Sequence, residues 1–425
     1  MNTKTLMRAF FGTASLQLLG RVISITSGVI LARLLGPENF GRYSFVMAIV
    51  AIAILPAIAG VPQLIIREVA IYRQNKAYDY LNGFFIWTKR YIYTLSFFSI
   101  VLLAVAVYVG NWDDDIDMLI VIALVLIPLK ALLARQGAIF NAFQFSSLAQ
   151  LPINIVAPLF FLIILVTTWF FGVDLKAEMT IAFQGGSHFL AFFVCLALLS
   201  PFVDKRQKVT NEIKFDAYQW KKSLLPLTMI MVITTLNNEL ATVFLGFLGD
   251  ENEVGYFRVA MQASMLFLIS LQSINAITAP QIARMYRAGN KDDAQLILTR
   301  SVRLGCLFSL PLMLFLCFFS DELVILLFGN EFLPASNLIR LLLLGQVINV
   351  CTGSAGMVLN MTGNEKYALK VQILSVAILI AMLSILVPLY GAGGAAVSVS
   401  TSVAMWNVMM SHMASKRTNL TTWLK

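Results

Sequence analysis

The chain has 425 residues, 59% of them hydrophobic and 12% charged, with 31 Lys and Arg against 22 Asp and Glu for a formal net charge of +9. Ordinary globular domains carry about 25% charged residues, so the composition excludes a string of soluble domains and points to a membrane protein. The positive surplus must first be divided between two membrane faces, which removes the case for a nucleic-acid partner.

Along the chain, Lys4 and Arg8 precede an apolar run that contains Arg21 and lacks a small-residue cleavage site, so this run reads as a first membrane helix and not as a signal peptide. Apolar runs long enough to cross the bilayer follow at residues 10–35, 40–63, 84–110, 118–134, 150–171 and 179–200. A second six occupy 223–247, 257–279, 303–320, 338–362, 371–390 and 392–414. The expected fold class is an all-α polytopic membrane protein of about twelve transmembrane helices. Residues 201–222 are polar and basic and read as a cytoplasmic linker between an N-terminal six-helix bundle, 1–200, and a C-terminal one, 223–425, with a patch for anionic lipid as the competing reading of its lysines.

With the N-terminus inside, 25 of the 31 Lys and Arg fall on one face, Lys130 and Arg135 among them. The opposite loops are short and acidic, with Asp113, Asp114, Asp115 and Asp117 in one and Asp250, Glu251 and Glu253 in another. That bias places both termini in the cytoplasm.

The first of the opposite loops reads LGPENFGRY from Leu35 to Tyr43, and the loop after the seventh span reads LGDENEVGY from Leu248 to Tyr256. Leu, Gly, Glu, Asn and Tyr match at a constant offset of 213 residues. Two halves that each start inside and hold six spans are parallel repeats, a plan used by transporters whose substrate path lies where the halves meet.

A charge near the bilayer centre costs about 2.5–3.5 kcal/mol, so it faces a cavity or a partner. In the first span Gln17, Arg21, Ser24 and Gly28 share one face, and in the seventh Thr228, Thr235, Glu239, Thr242 and Gly246 do, with Asn238 at its edge. Arg258 and, one turn further, Gln262 and then Gln272 extend the pattern into the eighth span. Arg holds phosphate through paired charge-assisted hydrogen bonds, and amides and hydroxyls satisfy sugar hydroxyls. The substrate-binding candidates are therefore Arg21, Arg258, Gln17, Asn238 and Gln262, and Glu239 is the candidate for ion coupling. The alternative is a structural ion pair between Arg21 and Glu239.

Elsewhere, the loop from Asp321 to Asn337 has an apolar core too short to span, and GAGGAA at Gly391–Ala396 reads as close helix packing through small residues. The four cysteines lie in apolar runs, and His188 and His412 stand alone in theirs, so neither a disulfide frame, a metal site nor another cofactor is expected. No nucleophile beside a base and no phosphate-cradling loop is present in the sequence, so the chain does not read as an enzyme.

ARLLGPENFGRYSF at Ala32–Phe45, FLGDENEVGYFRVA at Phe247–Ala260, LNMTGNEKYAL at Leu359–Leu369 and YGAGGAAVSVS at Tyr390–Ser400 resemble the O-antigen and polysaccharide flippase family. Its superfamily also includes multidrug and toxin extrusion transporters and lipid II flippases. The resemblance implies a bacterial inner-membrane protein that flips undecaprenyl-pyrophosphate-linked oligosaccharide units to the periplasmic leaflet. It also implies membrane lipid, a polysaccharide polymerase and glycosyltransferases as partners, and a cationic lumen in which Arg21 and Arg258 would receive the pyrophosphate. A cation-coupled drug exporter and a non-transporting scaffold for glycosyltransferases are the competing readings.

Overall fold

The computed structural model describes residues 3–110, 113–206, 213–264 and 268–424, with side chains left aside at 3–14, 200–206, 268–273 and 276. Lys4, Arg8 and Gln272 therefore lie outside the described side chains. Among the described residues there is helix and no strand. The first helices are α1 (Thr3–Ala53), α2 (Leu55–Ile58), α3 (Val61–Gln74), α4 (Tyr78–Val109), α5 (Asp114–Ala123) and α6 (Leu126–Ala142). Next come α7 (Ser146–Leu151), a π-helical turn (Pro152–Val156), α8 (Ala157–Phe170), α9 (Ala177–Arg206) and α10 (Ala217–Leu248). The chain continues through α11 (Glu251–Ser264), α12 (Leu268–Arg287), α13 (Lys291–Phe318), α14 (Ser320–Phe328) and a 3-10 turn (Asn330–Phe332). It ends with α15 (Ala335–Thr352), α16 (Ala355–Met361) and α17 (Glu365–Thr418).

Ten of these stretches are long and apolar enough to cross a membrane. Two of the ten hold a glycine outside the helical region, Gly36 (φ 66°, ψ 175°) in α1 and Gly391 (φ 54°, ψ −133°) in α17. A left-handed φ is nearly free for glycine and strained for other residues, so each marks the junction of two spans. These junctions separate the expected first and second, and eleventh and twelfth, spans. The expected fourth span, 118–134, is longer than the sequence suggested: α5 and α6 run on to Ala142, which puts Arg135 inside the helix along with Lys130. The nine-residue α14, roughly 13 Å long, is too short to cross.

Packing gathers Met1–Leu35 and Phe45–Thr235 into one compact unit, and Gly36–Ser44 and Leu236–Lys425 into a second. In the first unit α6 packs on α3, α4 and α9. The Arg135 guanidinium ties α6 to α4 by donating to Thr88 Oγ1 (3.2 Å) and the Phe85 carbonyl (2.9 Å). The division between the two compact units falls inside α10, whose start is keyed into this unit. Trp220, 1% exposed, donates its indole N–H to the Tyr72 hydroxyl (2.7 Å) and meets Phe84 edge-on at 5.2 Å. Thr228 donates to the Ala59 carbonyl (2.9 Å), and Lys214 pairs with Asp79 (3.0 Å).

In the second unit α15 packs on α11, α13 and α17. The segment Gly36–Ser44 belongs here by its contacts. Gly41 packs against the Glu251 carbonyl and Gly255 against the Pro37 carbonyl, each with no room for a Cβ. Arg42 bridges Glu251 (2.7 Å) and Glu38 (3.1 Å). Phe40 and Tyr256 both meet Phe332 edge-on, at 6.1 and 6.2 Å. The two loops of the sequence repeat are thus direct neighbours. In GAGGAA, Gly394 packs against the Leu386 carbonyl across the Gly391 reversal, and the Glu253 carboxylate accepts the Ala392 N–H (3.0 Å) at the start of the following helix.

Candidate substrate-handling site

Helix arithmetic brings Glu239 and Arg258 together. Glu239 lies nine residues before the end of α10 and Arg258 seven after the start of α11, and only Gly249 and Asp250 join the two helices. At 1.5 Å per residue the depths are roughly 13 and 10 Å, so the side chains meet across the hairpin. Arg258 Nη1 donates to Glu239 Oε2 at 3.1 Å, with the side chains 31% and 16% exposed. Asn238 is exposed on the same helix, Gln262 stands half-buried one turn beyond Arg258, and Thr242, one turn beyond Glu239, has its hydroxyl buried and without a hydrogen-bond partner among the described residues.

Glu239 has an ion-pair partner in Arg258, 19 residues further along the chain and across one hairpin. Sequence reading set Arg258 beside Glu239 in the site without pairing them, because a facing position on an antiparallel helix has no fixed spacing in sequence.

Gln17, Arg21 and Ser24 form an exposed stripe on α1 in the first unit. Beside it, Gly20 packs against Asn154 of the π-helical turn so closely that a Cβ has no room, and the Asn154 amide bonds the Gln150 side chain. A π turn widens the helix and frees side chains from the regular ladder, and such turns recur at functional positions. Its only signal in the sequence is Pro152 and Pro158, which disturb the ladder here.

Lys130, counted by sequence reading with the inner-face charges, lies within a stretch long and apolar enough to cross a membrane. It sits on α6 as the charged neighbour of His188 on α9, whose Nδ1 lies 2.8 Å from the Gln184 carbonyl. The apolar run that continues through Ala138–Phe143 was the available signal that the helix extends past Arg135. The chemistry on hand in the two units is therefore cationic and amide-rich: Arg21, Gln17, Lys130 and Asn154 in the first, and Arg258 with Gln262 and Asn238 in the second. No group of three or more His, Cys, Asp or Glu that would hold a metal is found among the described residues.

Residues 30–337 match the family described as polysaccharide biosynthesis protein. A probable low-salt glycan biosynthesis flippase of Haloferax volcanii is 23% identical over 215 residues, 49% of this chain and 45% of that protein, so the chain spans about half the length of the curated relative it matches. Among solved structures, an inward-facing multidrug resistance MATE family transporter of the MOP superfamily superposes with a TM-score of 0.76 at 12% identity, covering 96% of this chain and 98% of the other. The lipid II flippase MurJ in an inward closed conformation gives 0.76 at 15% identity, over 94% and 87%. Identities this low establish a shared fold. The chain belongs to the polysaccharide biosynthesis protein family and is built on the fold of the MOP superfamily.

Proposed function

We propose that the protein is a flippase that moves lipid-linked saccharides across the membrane, and that it is a transporter and not an enzyme. The family match over residues 30–337 carries this reading, and the flippase relative supports it. In its finer form the cargo is an undecaprenyl-pyrophosphate-linked repeat unit of O-antigen or a related surface polysaccharide. It passes from the cytoplasmic to the periplasmic leaflet of a bacterial inner membrane by alternating access. Both termini are cytoplasmic in this reading, and a polysaccharide polymerase and glycosyltransferases act on either side of the step.

Arg21 and Arg258 serve as pyrophosphate ligands, since a guanidinium donates two parallel hydrogen bonds to a phosphate. Gln17, Asn238 and Gln262 serve the sugar hydroxyls. Glu239 couples an ion through its pair with Arg258: arrival of a phosphate on Arg258 weakens its hold on the carboxylate, which then takes up a proton or cation. The Arg258–Glu239 pair therefore exchanges one anion for another.

Two measurements test the reading. Proteoliposomes holding the purified chain should flip a fluorescent undecaprenyl-pyrophosphate oligosaccharide, and Arg258→Glu should abolish flipping at equal protein content. Absence of flipping by the wild type removes the cargo assignment, and full activity of Arg258→Glu removes Arg258 from the site. The second reading, a cation-coupled drug exporter, draws on the equal likeness to a multidrug transporter fold. It predicts dye efflux without saccharide flipping, and the basic intramembrane residues Arg21, Lys130 and Arg258 weigh against it.

A further inference from the structure

The start of α10 has two opposite faces of different character. Trp220 and Leu224 are 1% and 4% exposed, and with the half-buried Thr228 they follow i, i+4, i+8 spacing into the first unit. Tyr218, Lys221, Lys222 and Leu225 follow i, i+3, i+4, i+7 on the other side, with Tyr218 75% and Leu225 60% exposed and both lysines exposed. Past Lys222 the exposed residues become Leu225, Met229 and Ile230, so the surface turns from Tyr and Lys to purely apolar within about one helical turn, roughly 5 Å. A change that abrupt on the outside of a spanning helix marks the plane where water and headgroups give way to hydrocarbon. Among the described residues no carboxylate lies within ion-pair distance of Lys221 or Lys222, whereas the nearby Lys214 is already paired with Asp79.

We propose that the Tyr218–Lys221–Lys222–Leu225 face of α10 is a binding surface for anionic phospholipid headgroups. The two ammonium groups meet the lipid phosphate, Tyr218 sits among the headgroups, and Leu225 lies against the upper acyl chain. Trp220 is what makes the surface a defined one: keyed to Tyr72 on the opposite face, it fixes the rotation of α10 and with it the direction of both lysines. The proposal concerns the membrane-spanning character of α10 and is independent of the cargo.

The test is native mass spectrometry of the full chain in mild detergent, titrated with phosphatidylglycerol or with phosphatidylcholine of the same acyl chains. The wild type should retain phosphatidylglycerol preferentially. Each lysine near an anionic surface is expected to account for about a fivefold preference, so Lys221→Gln with Lys222→Gln should lose on the order of 25-fold. A variant of equal charge, Lys366→Gln with Lys370→Gln, should keep it, and all three proteins should melt at the same temperature. Inorganic phosphate at millimolar concentration should leave the bound lipid in place. Equal retention of both lipids by the wild type, an undiminished preference in the double variant, an equal loss in the charge-matched control, or displacement by inorganic phosphate would each overturn the proposal.

Discussion

Two short segments are held in opposite ways, one just after the first span and the other at the start of its repeat equivalent. Gly36–Ser44, which follows the first span, is fastened in the second unit by the Arg42 bridge to Glu251 and Glu38 and by two glycine contacts. The first half of α10, the equivalent span of the other repeat, is fastened in the first unit by a buried tryptophan in an aromatic setting of Tyr72, Phe84 and Trp87. The polar fastening loses less when water replaces a partner, because its charges, 18% exposed at Arg42 and 27% at Glu251, still reach solvent and keep part of their hydration. The aromatic one has no substitute in water for the contacts it gives up. The difference teaches that the reciprocal placement of the two segments does not make them equally releasable.

The largest expected effect strikes the aromatic side. Trp220→Ala should cost about 3–5 kcal/mol and lower the melting temperature in detergent by more than any other change named here. Trp220→Phe should recover most of the packing and none of the hydrogen bond to Tyr72. Next comes the glycine contact: Gly41→Ala must push against the Glu251 backbone, at about 1–3 kcal/mol, while Gly393→Ala, which meets nothing nearby, should be near neutral. Equal melting of the two alanine variants would show that the loops can part at no cost.

The ionic bridge should be weaker still. A double-mutant cycle of Arg42→Ala and Glu251→Ala should give a coupling of about 1 kcal/mol that shrinks as salt rises from 0.1 to 1 M, where screening shortens from about 10 to 3 Å. A coupling that ignores salt would place the bridge with the buried contacts and erase the contrast drawn between the two segments.

The smallest effect is a pH dependence on α14. The Ser336 hydroxyl and then the Arg340 guanidinium, 3.0 Å away, hold the Asp321 carboxyl below the usual carboxylate range. A depressed folded pKa stabilises the protein above the unfolded value of about 3.9, and the contribution disappears as pH falls through the folded value. Asp321→Asn should therefore melt slightly below wild type at pH 6, and the two curves should converge in strong acid.

Helix content, membrane residence and the duplicated loops were legible in the sequence, because hydrocarbon thickness dictates run length and a repeat preserves its spacing. The paired glycines of LGPENFGRY and LGDENEVGY were visible as letters, but not the fact that Gly41 and Gly255 abut each other's loops. Of the candidate site, the residues Arg258 and Glu239 were legible and their pairing was not. Arg135 reads in the sequence as the end of a span, yet a long side chain inside a bundle can keep its charge beside polar partners, as Arg135 does with Thr88 and the Phe85 carbonyl.

The sequence by itself determined what each stretch is: an apolar helix of spanning length, a basic connection, a glycine where the chain must turn. Those properties are local, set by side-chain transfer energy and backbone sterics. Which helix holds which segment was decided only in the tertiary structure. The partners that bury Trp220, that answer Glu239 and that seat Gly36–Ser44 in the second unit are brought together by packing across large sequence separations, and no local pattern records that choice.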